Sequence, residues 1–224
     1  MKTSFTEENY IKAIYKLEEG LKEKAVSTND IASHLSTQPA TVTDMIKRLA
    51  DKKLVTYKKY YGVSLTLKGK SIALDIIRKH RLWEVFLVKK LKFKWDEVHE
   101  IAEQLEHIDS PELIKKLDDF LDNPKFDPHG DAIPDEKGKM RIVKSVPLST
   151  VTTNQPYIFS GVSNHETKFL KHLTELKLSL GNSIMVESIN DFDGSLKVKI
   201  HNKFYEFFSE KVASHILVHP ENEK

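Results

Sequence analysis

The sequence predicts a mainly α-helical protein with small β parts, and three observations lead to this fold class. Two short amphipathic segments and a basic hairpin pattern follow one another in the first third of the chain. A long apolar helix and a shorter acidic helix are predicted next. From about Val146, short apolar runs alternate with turn residues, which is typical of a small β-barrel. A chain of 224 residues accommodates one large domain or two to three small ones.

The composition limits the kinds of site that this chain can carry. It has no cysteine, which excludes disulfides and thiolate metal sites, so any metal must be held by nitrogen and oxygen atoms. The N-terminus is polar and acidic, unlike a signal peptide, and no run of about 18 apolar residues occurs. We therefore expect a cytoplasmic protein that has no membrane partner.

Charge is distributed unevenly, although the net charge is only +2. Residues 36–70 contain eight basic and two acidic side chains, whereas residues 96–136 contain fourteen acidic side chains and three lysines. This asymmetry indicates one part that faces nucleic acid and another that faces cations. Two solvated surfaces of opposite sign are the alternative.

Three helices are predicted in the first fifty residues. The segment "TEENYIKAIYKLEEG" has helical apolar spacing, with Thr6 as the predicted N-cap and Gly20 as a stop. A second helix, in "VSTNDIASHL", is capped by Ser27 or Thr28. A third, "PATVTDMIKRLADKKL", begins at Pro39, whose missing N–H would be unpaired there in any case.

The next segment, "LVTYKKYYGVSLTLKG", predicts two strands around a Tyr-Tyr-Gly turn, with alternation at Val63, Leu65 and Leu67. Helix, helix and basic hairpin is the order of a winged helix-turn-helix. In that arrangement the later helix of the pair, here the third predicted helix from Pro39, enters the major groove, and the hairpin follows the phosphates. A small helical scaffold with a basic hairpin is the alternative. The predicted DNA-binding residues are Gln38, Pro39, Ala40, Thr41, Thr43, Lys47, Lys58, Lys59 and Tyr60.

The long helix runs from Lys68 through "GKSIALDIIRKHRLWEVFLVKKL" and is apolar on more than one face. A lone helix in a small domain does not need so much apolar surface, so we expect a subunit interface and a homodimer. His80 and Glu84 are four residues apart on this helix and therefore project from the same side.

The acidic helix, "WDEVHEIAEQLEHI", places four potential metal ligands together. At 100° per residue, His99, Glu103, Glu106 and His107 fall within one arc about 100° wide beside the apolar stripe. Desolvation there is costly unless a cation compensates, which favours a metal site. A solvated acidic face is the alternative. The zinc-protease pattern HExxH is broken by Glu103, so we expect no enzyme.

Five segments together resemble the iron- and manganese-dependent repressors related to the diphtheria toxin repressor: "EENYIKAIY", "VSTNDIASHLSTQPATVTDMIKRLADKKLVTYKKYYGVSLTLKGK", "RKHRLWEVFL", "DEVHEIAEQLEH" and "PHGDAIP". The likeness covers nearly the whole chain. It implies a winged helix-turn-helix DNA-binding domain in residues 1–67, a helical metal-binding and dimerisation domain in 68–140, and an SH3-like domain of the FeoA type in 141–224.

The resemblance also implies a function, namely metal-activated repression of genes for manganese or iron uptake and homeostasis. The partners would be a second copy of the chain and a double-stranded DNA operator with inverted-repeat half-sites. A winged-helix transcription regulator that responds to a different, non-metal ligand is the alternative.

Carried over by position, the resemblance implies two metal sites. One would take His80, Glu84 and His99, and the other would take Glu103, Glu106, His107 and Asn9. Iron-type members have a methionine and a cysteine at the positions of Asn9 and Glu103. The oxygen donors found here favour a harder ion, Mn²⁺ or Fe²⁺, with one or two ions in each subunit.

The chain departs from the family pattern at two lysines. Lys12 stands where short manganese-type members have a carboxylate, and an ammonium group cannot ligate a metal. In iron-type members two residues of the C-terminal domain complete the first site, and these positions fall on His165 and Lys168. Lys168 cannot ligate a metal, so His165 and its neighbour Glu166 are the additional candidate ligands in this region. His129, in the loop "PHGD", is interpreted as a structural residue and left out of both sites.

Overall fold

The computed structural model describes residues 3–20, 25–142, 144–201 and 203–221, which form two compact units. The first unit comprises residues 1–80, 103–114 and 134–140, and the second comprises 81–102, 115–133 and 141–224. Each has a hydrophobic core. The predicted class, mainly α-helical with small β parts, is confirmed. Within the described residues, no helix combines the length and apolarity needed to cross a membrane.

Three helices and a hairpin build the first unit before a long helix begins. Their bounds are α1 Phe5–Gly20, α2 Thr28–His34, α3 Pro39–Asp51, β1 Val55–Lys58, β2 Gly62–Leu65 and α4 Leu67–Lys89. The core of this unit includes Ile11, Ile14, Ile31, Ile46 and Leu49, all fully buried. These residues lie on the apolar stripes predicted for the first three helices.

The first three helices begin with residues that commonly start helices, and one predicted cap, that of α1, is wrong. Ser4 and Glu7 form a reciprocal pair, because Glu7 N–H donates to Ser4 Oγ (3.3 Å) and Ser4 N–H donates to Glu7 Oε2 (2.9 Å). The predicted cap at Thr6 is therefore wrong, since Thr6 lies inside α1. Ser27 caps α2 by accepting from Asp30 N–H at 3.0 Å, and Pro39 opens α3 as predicted.

The hairpin of β1 and β2, called the wing below, pairs antiparallel with Lys58 opposite Gly62. Val26 adds a bridge to Val63. Gly62 has φ +109°, and a Cβ on it would lie 2.7 Å from the Val26 carbonyl oxygen, so a side chain is not tolerated. The predicted strand alternation ends before Leu67, which is exposed and starts α4, because Thr66 Oγ1 accepts from Gly69 N–H and caps the helix.

The remaining elements are α5 His99–Leu105, α6 Pro111–Phe120, β3 Val146–Pro147, β4 Pro156–Val162, α7 Thr167–Glu175, β5 Ser183–Ile189, β6 Leu196–Ile200, β7 Phe204–Phe208, α8 Glu210–Ala213 and β8 Ile216–Pro220. The described strands of the second unit form one antiparallel sheet in the order β3-β8-β4-β5-β6-β7. Phe159, Leu170 and Phe208 lie in its core. The predicted acidic helix over residues 95–108 is shorter than expected, and Glu106 and His107 lie in the turn after α5.

Candidate functional site

Three potential metal ligands meet in the interior of the second unit. Glu84 on α4 and the loop residues Asp127 and His129 each offer one ligand atom, and these atoms all lie within 4.8 Å of one another. All three side chains are at most 4% exposed. Two carboxylates and an imidazole form the nitrogen and oxygen donor set that suits Mn²⁺ and Fe²⁺. We call this group the second-unit cluster.

The loop that carries Asp127 and His129 is fixed by its own backbone. Asp127 Oδ1 accepts from the N–H groups of His129 (2.8 Å) and Asp131 (3.0 Å), while Val162 N–H of β4 donates to the His129 carbonyl (3.0 Å). Gly130 has φ +93°, and a Cβ there would lie 2.1 Å from the Ser160 carbonyl oxygen. Only glycine therefore allows the loop to approach β4 so closely.

The His129 ring is oriented as a metal ligand would be. Its Nε2 donates to the Trp95 carbonyl oxygen at 2.8 Å, and its Nδ1 lies 3.5 Å from Glu84 Oε2. A backbone acceptor behind one ring nitrogen fixes the tautomer and leaves the other nitrogen to face the cluster. The stacking of Trp95 on this ring, with centroids 5.9 Å apart, restricts its rotation further.

The electrostatics of the second-unit cluster also favour a cation. Burial raises the pKa of Asp127 to about 7, and the nearby charges of Asp131 and Glu84 add to this effect. Burial alone would lower the pKa of His129, but its hydrogen bond to Glu84 and the Glu84 and Asp127 charges outweigh burial and raise the pKa to about 9. Arg81 offsets part of the negative charge, with Nε 3.6 Å from Asp127 Oδ2. A bound dication would replace the protons that these groups retain.

Further polar side chains of the same unit lie beside this cluster. His99 Nδ1 lies 3.5 Å from Glu84 Oε1. His165 packs edge-on against the His129 ring, with centroids 5.1 Å apart, and its Nε2 lies 3.4 Å from Asp131 Oδ2. Glu166, the other candidate in this region, is the exposed N-cap residue of α7.

A second group of titratable side chains lies in the first unit, and we call it the first-unit cluster. Its members are Glu8, Lys12, His80, Glu103, Glu106 and His107. His107 Nδ1 lies 2.7 Å from Glu8 Oε2, which leaves Nε2 facing Glu106 Oε1 at 3.9 Å. Glu106 is fully buried, and this Oε1 atom has no hydrogen-bond partner within the described part of the chain. The predicted ligand Asn9 is exposed on α1.

Lys12 occupies the other side of Glu106. Its Nζ lies 2.6 Å from Glu106 Oε2, 2.7 Å from Glu103 Oε1 and 3.3 Å from His80 Nδ1. His80 Nδ1 is itself 2.6 Å from Glu106 Oε2. Of the predicted set His80, Glu84 and His99, the first belongs to the first unit and the other two belong to the second.

The predicted DNA-binding residues all lie in the first unit, on α3 or on the wing. Gln38, Pro39, Ala40, Thr41 and Lys47 are exposed at and after the start of α3. On the wing, Lys58 Nζ lies 4.0 Å from the centroid of the Tyr61 ring and Lys59 Nζ lies 5.1 Å from that of the Tyr60 ring, and all four of these side chains are exposed. Thr43 is only half-buried, and its hydroxyl donates to the Pro39 carbonyl at 2.9 Å.

The sequence interpretation missed the contribution of the loop to the second-unit cluster. The sequence analysis assigns His129 a structural role, and Asp127 and Asp131 are only two of the acidic residues in the segment 96–136. The signal was present in "DPHGD", where a histidine lies between two aspartates and precedes a glycine. Its neighbour Glu84 is 45 positions earlier in the chain, so residue spacing could not reveal the contact.

Three family models match this chain. The N-terminal DNA-binding domain of iron dependent repressors matches residues 2–63, and their metal binding and dimerisation domain matches residues 66–135. The FeoA domain matches residues 146–220.

Among known proteins, the chain is 35% identical over 130 residues to the iron-dependent repressor IdeR of Mycobacterium leprae, covering 58% of this chain and 55% of that relative. It is 34% identical over 120 residues to an uncharacterized HTH-type transcriptional regulator of Methanocaldococcus jannaschii, covering 53% of this chain and 94% of the other. A solved manganese-dependent transcriptional repressor in complex with manganese is 30% identical with a TM-score of 0.85, covering 96% of this chain and 99% of that one.

The chain therefore spans about half the length of the mycobacterial repressor, but nearly the whole of the solved manganese-dependent repressor. The order of the three matched models agrees with the order of winged helix, helices and six-stranded sheet described above. From these matches and this fold, the chain belongs to the family of iron-dependent repressors.

Proposed function

We propose that the chain is a metal-activated transcriptional repressor that controls genes for manganese or iron uptake and homeostasis. The observation that carries this proposal is the buried second-unit cluster of Glu84, Asp127 and His129, in a chain that also has a basic wing. Relatives described as iron-dependent and manganese-dependent repressors support it. In this proposal the protein works in the cytoplasm and is not an enzyme.

The activating ion is Mn²⁺ or Fe²⁺, held in the second unit by Glu84, Asp127 and His129. His99 and His165 are the nearby residues that could complete its coordination. This set shares Glu84 and His99 with the site predicted from the sequence, which also included His80. When bound, the ion supplies two positive charges to a buried group of carboxylates. The residues of the chain provide the orientation, through Trp95 behind His129 and Arg81 beside Asp127.

A second ion is proposed at Glu106 and His107, as the sequence predicted, with Glu103 and Asn9 as its further candidates. This position is supported by Glu106 Oε1, which has no hydrogen-bond partner among the described residues, and by the His107 Nε2 that faces it. Glu8 behind the His107 ring plays the same role that the Trp95 carbonyl plays for His129.

The DNA target is proposed to be an operator with inverted-repeat half-sites, bound by a homodimer. The exposed start of α3, with Gln38 and Thr41, would reach base edges in the major groove, and the wing lysines would contact phosphates. A regulator that responds to a non-metal ligand is the second candidate function. It predicts DNA binding that does not change when metal is removed.

Replacing Lys58 and Lys59 by glutamine is expected to weaken binding to every duplex sequence. Each lost phosphate contact should also flatten the slope of log affinity against log salt by about one unit. Fluorescence anisotropy of a labelled duplex across a salt series measures both effects in the presence of Mn²⁺. The matched control replaces the exposed Lys171 on α7 and Lys211 on α8 by glutamine, which alters the net charge equally. If the two double variants lose DNA affinity equally, Lys58 and Lys59 of the wing do not contact the DNA phosphates.

A further inference from the structure

The least expected feature of the first-unit cluster is a buried lysine between two carboxylates. We infer that Lys12 is a tethered cation that fills one of two cation positions around Glu106, so that α1 is joined to residues 103–106 without an ion at that position. This inference deepens the proposed function, since it concerns the number and place of the ions that the repressor binds.

The surroundings of Lys12 are those of a bound cation. The side chain is only 6% exposed, and its Nζ lies within 2.7 Å of one carboxylate oxygen from Glu103 and one from Glu106. His80 Nδ1 is its third polar neighbour. A buried ammonium group is costly unless carboxylates compensate its charge, and here two of them do so in direct contact.

The donor atoms around Lys12 are also those that a first-row dication would take. Two carboxylate oxygens and an imidazole nitrogen suit Mn²⁺ or Fe²⁺, and they surround the ammonium group instead. The ammonium group cannot share that space with a metal ion, because its distances to both oxygens are already those of close ion pairs.

Glu106 separates the two cation positions. Its Oε2 contacts Lys12, while its Oε1 faces His107 Nε2 on the other side and has no hydrogen-bond partner in the described residues. Lys12 thus accounts for the position beside Glu103 and His80, and the position beside His107 is left for the proposed second ion. The contact between α1 and residues 103–106 is consequently permanent and does not respond to metal concentration.

Lys12→Met tests the inference, because methionine is similar in length but has no charge. We expect this variant to bind one more Mn²⁺ per subunit than the parent, measured by equilibrium dialysis and elemental analysis. Without metal the melting temperature of this variant should be lower than that of the parent. Added Mn²⁺ should raise the melting temperature of the variant by more degrees than that of the parent. The matched control is Lys16→Met, an exposed position one helical turn later on α1, which should keep the parent's ion count.

Two further measurements keep the outcomes distinct. If Lys12→Met is unfolded without metal, recovery of its helical circular dichroism on addition of Mn²⁺ is expected, and no recovery contradicts the inference. The number of bound ions is also compared between His129→Ala and the double variant that carries both His129→Ala and Lys12→Met. A gain of one ion there supports the role of Lys12 even if the second-unit cluster binds nothing. Equal counts in parent and Lys12→Met overturn it, whatever the second-unit cluster does.

Discussion

His129→Ala is expected to weaken Mn²⁺ binding at the second-unit cluster by at least about 100-fold. The loss of a residue that merely supports a metal ligand typically costs 10- to 100-fold, and a ligand itself should cost no less. The substitution also removes one of the two imidazoles beside Glu84, since His129 Nδ1 lies 3.5 Å from Glu84 Oε2 and His99 Nδ1 lies 3.5 Å from Glu84 Oε1. Isothermal titration calorimetry with Mn²⁺ measures the affinity and the number of sites.

The control for this prediction is His215→Ala in the same unit. His215 Nδ1 lies 3.0 Å from Ser163 Oγ at the surface, and its ring packs against Phe169. Both variants lose one histidine. Because His215 is not a member of the second-unit cluster, the control variant should retain the Mn²⁺ affinity of the parent. If His129→Ala and His215→Ala bind Mn²⁺ equally well, the second-unit cluster is not the metal site.

Metal binding at the second-unit cluster should strengthen steeply as pH rises from 6 to 8. The pKa of His129 is raised to about 9 and that of Asp127 to about 7, so the metal-free cluster retains one proton between these values and two below the lower one. Mn²⁺ must displace them, and affinity therefore increases with pH. The expected gain is about tenfold per pH unit above 7 and up to about a hundredfold per unit below it.

Calorimetry in buffers of different ionisation enthalpy counts the protons released with each ion. About one proton is expected at pH 8, and the number should approach two below pH 7. An unperturbed histidine, with a pKa of 6.5, would release almost none at pH 8. In His129→Ala the proton release at pH 8 should disappear together with the tight site. A parent affinity that is the same at pH 6 and pH 8 would contradict the assigned pKa shifts.

The local parts of this fold were predictable because their causes are local. Apolar spacing gave α1, α2 and α3, Pro39 marked the start of α3, and the Tyr-Tyr-Gly turn identified the wing. Element ends were less predictable, since they depend on which of several polar side chains reaches a free N–H group. Ser4 rather than Thr6 caps α1, and Thr66 ends the strand alternation before Leu67.

The candidate sites were predictable only where their residues share a helix. The arc of His99, Glu103, Glu106 and His107 was visible as a pattern, although the last two lie in the turn after α5. Contacts between distant segments were not visible. The approach of the Asp127 and His129 loop to Glu84 depends on tertiary packing, including the close contact of Gly130 with β4. The sequence shows that Lys12 cannot ligate a metal, but its contacts with Glu103 and Glu106 are visible only in the structure.

We propose that an ion at the second-unit cluster switches on DNA binding. The most direct measurement is a Mn²⁺ titration of duplex binding, using sequences selected from a random library by the parent protein in the presence of Mn²⁺. Fluorescence anisotropy is then recorded at fixed salt for the parent and His129→Ala, with EDTA added at the end. The parent should bind as Mn²⁺ rises and release on EDTA, whereas His129→Ala should need far more Mn²⁺. Equal DNA affinity of the parent in Mn²⁺ and in EDTA would contradict the claim.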